Sequence, residues 1–254
     1  MRFPKITGIL LLLVCCGWAG TILPLNYSFE SPDVSSVLCG VTGQDGCEYS
    51  SVLNGAAGVG WTFTGSSGIA SDAGISNPFG LSSPPDGTQA AFVQYDTNNE
   101  NSFPGDISQD IGGLVASQSY VLSFDAAQRP EADGPTGAFL FGGGLDVNVY
   151  WCPAGCGTPT LIGFVQYDNQ PSTDLAFAPY SFSFAAGATD GVLEFQADDP
   201  LGGDRSDFID DVQITGSDNN TTPEPSDGLM VLSGLGLIGL GLRRRLVHKR
   251  SLPS

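Results

Sequence analysis

Glycine, proline, asparagine, aspartate and serine interrupt this chain at short intervals, which leaves little room for long helices. Between these clusters lie ten short runs that are apolar or alternate between apolar and polar residues, as half-buried strands do. The runs are Ile22–Phe29, Gly60–Thr64, Gln89–Tyr95, Ile107–Ile111, Tyr120–Ala126, Leu145–Trp151, Leu161–Tyr167, Tyr180–Phe184, Val192–Ala197 and Asp207–Ile214. Ten strands without intervening helices predict an all-β domain, a sandwich or jelly roll of two antiparallel sheets.

The N-terminal segment has the three features of a cleavable signal peptide in the right order. Arg2 and Lys5 form a positive region, Ile6–Cys16 is almost entirely apolar, and small residues precede Gly20. We therefore predict a signal peptide over residues 1–19 and export of the chain. A buried strand is one alternative; a lipoprotein acylated at Cys16 is the other.

The C-terminal segment combines a polar linker, a short apolar run and a basic end. The linker, residues 219–222, leads into Pro223-Glu224-Pro225, and Leu229–Leu242 precedes three consecutive arginines. Fourteen helical residues span about 21 Å, less than the roughly 30 Å of a hydrocarbon core. By the positive-inside rule the arginines stay cytoplasmic, so the domain at residues 20–218 lies outside.

This tail, residues 223–254, resembles a PEP-CTERM sorting signal in its Pro-Glu-Pro motif, apolar span and basic terminus. The resemblance implies processing near Pro223, Glu224 and Pro225 by an exosortase-type membrane protease or transpeptidase. It also implies transient residence in the inner membrane of a Gram-negative bacterium. The destination would be the cell envelope, surface or extracellular matrix. An ordinary single-pass anchor is the alternative.

The exported segment is strongly acidic and lacks lysine and histidine. Between residues 20 and 222 there are 25 Asp and Glu residues against only Arg129 and Arg205. Such a surface repels phosphate backbones, which excludes nucleic acid as a partner. Without histidine no Ser-His-Asp or Cys-His site can form, so we expect a non-enzyme. A carboxylate pair of the glycosidase kind is the one catalytic arrangement still open.

Four cysteines remain after the signal peptide is removed. Their even number and close spacing in an exported chain predict the disulfides Cys39–Cys47 and Cys152–Cys156. A four-cysteine zinc site is the alternative, although the spacings are not CxxC.

Asp210 falls among the apolar residues Phe208, Val212 and Ile214 when the last run is read with a period of two. A carboxylate turned toward a core must be protonated, hydrogen-bonded or bound to a cation. No lysine is available in this domain, so calcium with oxygen ligands is the favoured interpretation, and a protonated or backbone-bonded Asp210 is the alternative. A further acidic cluster is expected to be a solvated loop: Asp198, Asp199, Asp204 and Asp207.

Several short motifs of the domain, in order, resemble those of calcium-containing jelly-roll carbohydrate-binding modules. They are Asn26-Tyr27-Ser28-Phe29-Glu30, Gly60-Trp61, Asp86-Gly87-Thr88-Gln89-Ala90, Ile107-Ser108-Gln109, Tyr120-Val121-Leu122-Ser123-Phe124 and Phe208-Ile209-Asp210-Asp211-Val212. The resemblance implies one structural calcium held by Glu30 and Asp210, and a polysaccharide ligand.

The candidate sugar-binding residues combine a polar strand face with an arginine. Asp146, Asn148 and Tyr150 share the face opposite Trp151, and Arg129 follows another strand. We therefore expect a non-catalytic module that binds extracellular polysaccharide. A structural or adhesion protein of the matrix without a small ligand is the second hypothesis.

Overall fold

The computed structural model describes residues 20–39, 46–54, 56–73, 80–81, 83–96, 103–129, 145–166, 176–198 and 204–216. These residues belong to one compact unit, Ala19–Ser217. The predicted signal peptide, linker and sorting tail lie outside the described residues. Within the described residues, no helix has the length and apolarity needed to cross a membrane.

The described residues form twelve strands and a single short helix. The strands are β1 Thr21–Ile22, β2 Cys47–Tyr49, β3 Thr62–Thr64, β4 Ser67–Ser71, β5 Gln89–Asp96, β6 Asp106–Gly112, β7 Ser119–Gln128, β8 Asp146–Pro153, β9 Thr160–Val165, β10 Ala178–Ala185, β11 Asp190–Asp198 and β12 Asp204–Gly216. The helix α1, Ser50–Leu53, follows β2. Nine of the ten predicted runs coincide with most of a strand; the exception is Ile22–Phe29.

The strands form two antiparallel sheets, which confirms the predicted jelly-roll β-sandwich. The seven-stranded sheet has the order β10-β7-β12-β5-β4-β2, with β1 also paired to β12. The five-stranded sheet has the order β3-β6-β11-β8-β9. The first described strand lies beside the last, with Ile22 opposite Ile214.

Apolar residues at alternate positions of both sheets pack between them as the main core. Trp61 and Trp151 are buried there, as the alternation predicts. Both indole N–H groups are satisfied: that of Trp61 donates to the Asn26 carbonyl at 3.2 Å and that of Trp151 to the Ala186 carbonyl at 3.0 Å.

A second cluster covers part of the outer face of the seven-stranded sheet. Its members come from β2, β4, β5, β7 and β12 and from the segments before and between them: Cys39, Cys47, Ala70, Leu81, Ala90, Phe92, Ala127 and Phe208. The disulfide Cys39–Cys47, with Cα atoms 5.0 Å apart, lies in this cluster. The other disulfide, Cys152–Cys156, closes the end of β8 with Cα atoms 5.7 Å apart. Both pairs agree with the spacing argument.

Candidate functional site

Asp210 is buried, but not on the face that a simple period of two assigns to it. The pairing of β12 with β7 shifts between Asp210 and Gln213, and Asp211 has a φ of 49°. This β-bulge changes the parity of the strand. Val212 and Ile214 therefore enter the main core, whereas Phe208 joins the outer cluster. The prediction that Asp210 shares a face with Val212 and Ile214 is wrong, whereas the prediction that it is buried is confirmed.

The two carboxylate oxygens of Asp210 have different surroundings. Oδ2 accepts a hydrogen bond from the backbone N–H of Asp86 at 3.1 Å, whereas the buried Oδ1 has no hydrogen-bond partner. Burial raises the pKa of Asp210 to about 8; backbone hydrogen bonds from Asp86 and Asp211 oppose the rise, and the charges of the same two residues add to it. An unpaired buried carboxylate oxygen is costly, and either a proton or a cation at Oδ1 would remove that cost.

Glu30 reaches the same loop as Asp210. Its Oε1 accepts hydrogen bonds from the backbone N–H groups of Thr88 at 2.9 Å and Gln89 at 2.8 Å. Gly87 directly precedes these two residues with a φ of +86°, and a Cβ there would collide with the Glu30 carboxylate. Two carboxylates from opposite ends of the domain therefore converge on residues 86–89.

Asn26 holds the Glu30 segment in place. Its side-chain amide donates to the carbonyls of Ser31 at 2.6 Å and Val59 at 3.0 Å, and its Oδ1 accepts from the Ser31 N–H at 3.0 Å. The Tyr27 carbonyl accepts from the N–H of Val212, just past the bulge, at 3.0 Å. These bonds make a turn of residues 26–31, which explains why the predicted strand Ile22–Phe29 ends at Ile22.

The donor chemistry around residues 86–89 fits a calcium ion. The Oδ1 atom of Asp210 is a buried oxygen without a hydrogen-bond partner. A hydrogen bond with Asp86, and the charges of Asp86, Asp211 and Asp210, raise the pKa of Tyr27, so several carboxylates lie near this loop. In the part of the chain that the structure describes, no three acidic, histidine or cysteine side chains form a metal-binding group. A cation here would therefore complete its shell with backbone carbonyls or water, which calcium accepts.

The outer face of the five-stranded sheet has two continuous cross-strand rows of side chains. Alternation places them opposite the core, and the strand registers align them. The first row is Thr64, Asp106, Gln196, Asn148 and Phe164. The second row is Thr62, Ser108, Glu194, Tyr150 and Leu161. Each row is polar across four strands and ends in an apolar residue on the edge strand β9; Phe164 is 52% and Leu161 50% exposed.

The structure brings three of the four candidate sugar-binding residues together on this face. Asn148 and Tyr150 lie in the two rows, and Asp146 stands beside them opposite Asp198. The Asn148 amide donates to the Asp198 carboxylate at 3.2 Å. Arg129 is not part of the face: it follows β7 in the other sheet and is only 3% exposed. Arg129 is therefore separate from the other three candidates, because it follows a strand that is buried at this end.

Phe164 and Leu161 are not among the site residues that the sequence predicts. The pairing of β9 with β8 shifts register between Val149 and Tyr150. Simple alternation along β9 therefore does not predict that both side chains lie on the outer face of the sheet. A signal was nevertheless present, since both are large apolar residues in a run that also contains the small Gly163. The ring of Phe182 occupies the space where a Cβ of Gly163 would lie.

The acidic cluster near the start of β12 is not a solvated loop. Asp198 is exposed at the end of β11, whereas Asp207 is fully buried, and this corrects the expectation. Asp207 Oδ1 accepts from the Leu145 N–H at 3.2 Å, and its Oδ2 has no partner. Burial raises its pKa well above the usual range. Asp199 and the side chain of Asp204 lie outside the described residues.

Comparison with known families identifies the tail. A model described as the PEP-CTERM protein-sorting motif matches residues 221–245, which include Pro223-Glu224-Pro225, the apolar span and the three arginines. The chain carries a PEP-CTERM sorting motif. This motif indicates an exported protein that is anchored in the membrane before it is processed. No curated protein matches the chain significantly.

Solved structures of low sequence identity resemble the sandwich. TmCBM61 in complex with beta-1,4-galactotriose is 14% identical, with 61% of this chain and 88% of that one covered and a TM-score of 0.39. The CBM22-1 xylan-binding domain from Paenibacillus barcinonensis Xyn10C is 10% identical, with coverages of 65% and 90% and a TM-score of 0.40. The K2 cleaved adhesin domain of Lys-gingipain is 13% identical, with coverages of 66% and 98% and a TM-score of 0.39. These values are too low to transfer a ligand to this chain.

Proposed function

We propose that this protein is a non-catalytic polysaccharide-binding module displayed at the surface or in the extracellular matrix of a Gram-negative bacterium. The observation that carries the proposal is the outer face of the five-stranded sheet, which no described segment covers. Its two polar rows offer hydrogen-bond partners for sugar hydroxyls, and Tyr150, Phe164 and Leu161 offer apolar area for sugar rings. Five strands at about 4.8 Å spacing make the face roughly 19 Å wide, enough for an extended oligosaccharide.

The sorting motif supplies the route to that location. An exosortase-type enzyme in the inner membrane would process the chain near Pro223-Glu224-Pro225 and release the sandwich outward. The absence of lysine and histidine between residues 20 and 218 supports a non-catalytic role, because the commonest acid–base and nucleophile pairs cannot form there.

A glycan array tests the binding role. The full chain, purified in mild detergent, should bind one class of polysaccharide. The Phe164→Ala variant should lose about fivefold in affinity, since stacking on an aromatic ring contributes on the order of 1 kcal/mol. Leu38→Ala is the matched control, because Leu38 is 66% exposed and lies outside this sheet. A protein that binds no glycan at all is instead the structural matrix protein of the second hypothesis.

We further propose that Glu30 and Asp210 hold one structural calcium ion. The ion would supply the positive charge that this part of the domain lacks and would tie the segment after β1 to β12. A ligand that binds only the folded state adds about 2.7 kcal/mol of stability at one hundred times its Kd. Calcium should therefore raise the melting temperature, and a chelator should lower it.

The comparison of two acid-to-amide variants distinguishes a specific site from general screening. Asp210→Asn should abolish most of the calcium-dependent shift in melting temperature. Asp190→Asn removes the same charge from an exposed position of the other sheet and should keep the shift. Sodium at matched ionic strength measures the screening contribution. If Asp210→Asn retains the full shift, Asp210 is not a ligand.

A further inference from the structure

The outer face of the five-stranded sheet is uniformly anionic. Its outward positions hold six carboxylates, namely Asp106, Asp110, Asp146, Asp190, Glu194 and Asp198. The five strands contain no arginine, lysine or histidine. The two arginines of the domain lie elsewhere: Arg205 is in β12 of the other sheet, and Arg129 directly follows β7. Arg205 acts on Asp207 near Asp146, at the edge of this face, whereas burial and Asp106 are what shift the pKa of Glu194 at its centre.

The carboxylates at the centre of this face are not neutralised by neighbours of opposite charge. Glu194 lies between Ser108 and Tyr150, and its pKa is raised first by partial burial and then by the charge of Asp106. Asp106 and Asn148 flank Gln196 in the adjoining row, and Asn148 contacts a further carboxylate, that of Asp198. A ligand that brings positive charge would relieve this repulsion, whereas a uronate or sulfate would increase it.

We propose that the polysaccharide bound by this face carries positively charged amino sugars, as a partially de-N-acetylated polymer does. The inference rests on the proposed function and specifies its ligand class. The acidic middle and the apolar end of the rows suit the two parts of such a sugar. Asp106 and Glu194 pair with ammonium groups, and Phe164 and Leu161 at the edge strand contact the apolar face of the sugar rings. Charge complementarity thus selects this occupant over neutral and anionic glycans.

Four oligosaccharides of equal length test the inference by titration calorimetry with the full chain in mild detergent. They are hexamers of β-1,4-linked glucosamine, of N-acetylglucosamine, of glucose and of a uronate, used at about pH 6, where the amines are protonated. The glucosamine hexamer should bind about tenfold more tightly than its N-acetylated counterpart, and rising sodium chloride should reduce that difference.

Two double variants distinguish binding by this face from a general effect of the protein's negative charge. Asp106→Asn/Glu194→Gln should remove most of the preference for the glucosamine hexamer. The control Asp33→Asn/Glu48→Gln removes two charges outside the five-stranded sheet and should keep the preference. Melting temperatures verify folding, and the salt dependence of the unmodified protein tests the inference if a variant does not fold.

The outcomes for the inference and for the proposed function are distinct. Equal binding of the acetylated and de-acetylated hexamers overturns the charge selection but leaves a polysaccharide-binding module. Preferential binding of the uronate hexamer, with or without calcium, also overturns it. Failure to bind any polysaccharide, here and on the array, contradicts the proposed function itself.

Discussion

At the scale of single residues, the domain buries two carboxylates on one strand and turns them to opposite sides. Asp207 points toward the other sheet and accepts a hydrogen bond from Leu145, and Asp210 points outward to the loop at Asp86. Each keeps one oxygen without a partner. Asp146 and Arg205 lie near enough to Asp207 to shift its pKa in opposite directions. Asp210 instead has two neighbouring carboxylates, Asp86 and Asp211, and shares the loop it contacts with Glu30. Asp207 is therefore expected to be protonated and Asp210 to bind a cation.

Replacing Asp207 by asparagine should make the protein less sensitive to pH. The pKa of Asp207 is raised in the folded state, so above the unfolded value of about 4 the folded state binds the extra proton. Its contribution to stability is complete at lower pH and is lost as pH rises toward the folded pKa. Asp207→Asn keeps an acceptor for the Leu145 N–H and cannot ionise.

Urea unfolding between about pH 4 and pH 8 measures this effect. The variant should gain stability relative to the unmodified protein as pH rises. Asp33→Asn is the control: hydrogen bonds from Ser35 lower the pKa of the exposed Asp33, so its contribution to stability changes only below about pH 4 and the profile from pH 4 to pH 8 should be unaltered. A pH profile of Asp207→Asn that parallels the unmodified protein would show that Asp207 is ionised in the folded state.

Gly87→Ala should weaken calcium binding as well as stability. Gly87 has a φ of +86°, which costs an alanine about 1 kcal/mol, and its Cβ would also displace the Glu30 carboxylate. Gly113→Ala has a similar φ of +82° with open space around it, so it reports the backbone cost alone. The calcium-dependent shift in melting temperature should fall in Gly87→Ala and persist in Gly113→Ala. Equal shifts in both variants would argue against Glu30 as a ligand.

At the scale of elements, the seven-stranded sheet contains strands that alternation does not reveal. β4, Ser67–Ser71, is buried along its whole length because the main core covers one side and the outer cluster the other. A strand covered on both faces has no polar face, and its small residues allow close contacts with its neighbours. Gly68, for example, leaves room for the ring of Phe92 and the backbone at Glu48.

The two disulfides should differ in their effect on stability. In the chain-entropy model, removal of the Cys39–Cys47 and Cys152–Cys156 crosslinks costs about 2.6 and about 2 kcal/mol, respectively. Cys39 and Cys47 are also packed in the outer cluster, so their removal costs additional burial. Urea unfolding of the paired Cys→Ala variants should show the larger loss for Cys39/Cys47. A larger loss for Cys152/Cys156 would contradict this order.

At the scale of the whole molecule, the two sheets have unequal surroundings. The seven-stranded sheet is packed on both sides over part of its area, holds both arginines and contains the paired ends of the domain. The outer face of the five-stranded sheet is acidic, and no segment that the structure describes covers it. A sorting motif follows the sandwich, so the stable unit and its delivery signal are separate parts of one chain.

Replacement of Pro223-Glu224-Pro225 by three alanines should leave export intact and block processing of the tail. The motif lies just before an apolar run of fourteen residues, where a membrane enzyme could reach it, and the signal peptide is unchanged. Intact-mass measurement of envelope material should show the tail retained. Release of the variant at the same mass as the unmodified protein would refute exosortase-type sorting.

Local patterns in the sequence were sufficient to predict the two-sheet fold, the disulfide partners, the sorting motif and the burial of Asp210. Each depends on neighbours along the chain: alternation selects core faces, short spacing selects cysteine partners, and the motif is contiguous. The register of paired strands decided the rest. The bulge at Asp211 placed Asp210 on the opposite side of the strand from Val212 and Ile214. Packing between distant segments buried Arg129 and Asp207. The pairing of β8 with β9 brought Asn148 beside Phe164. These depend on residues far apart in the chain, and no period within one strand specifies them.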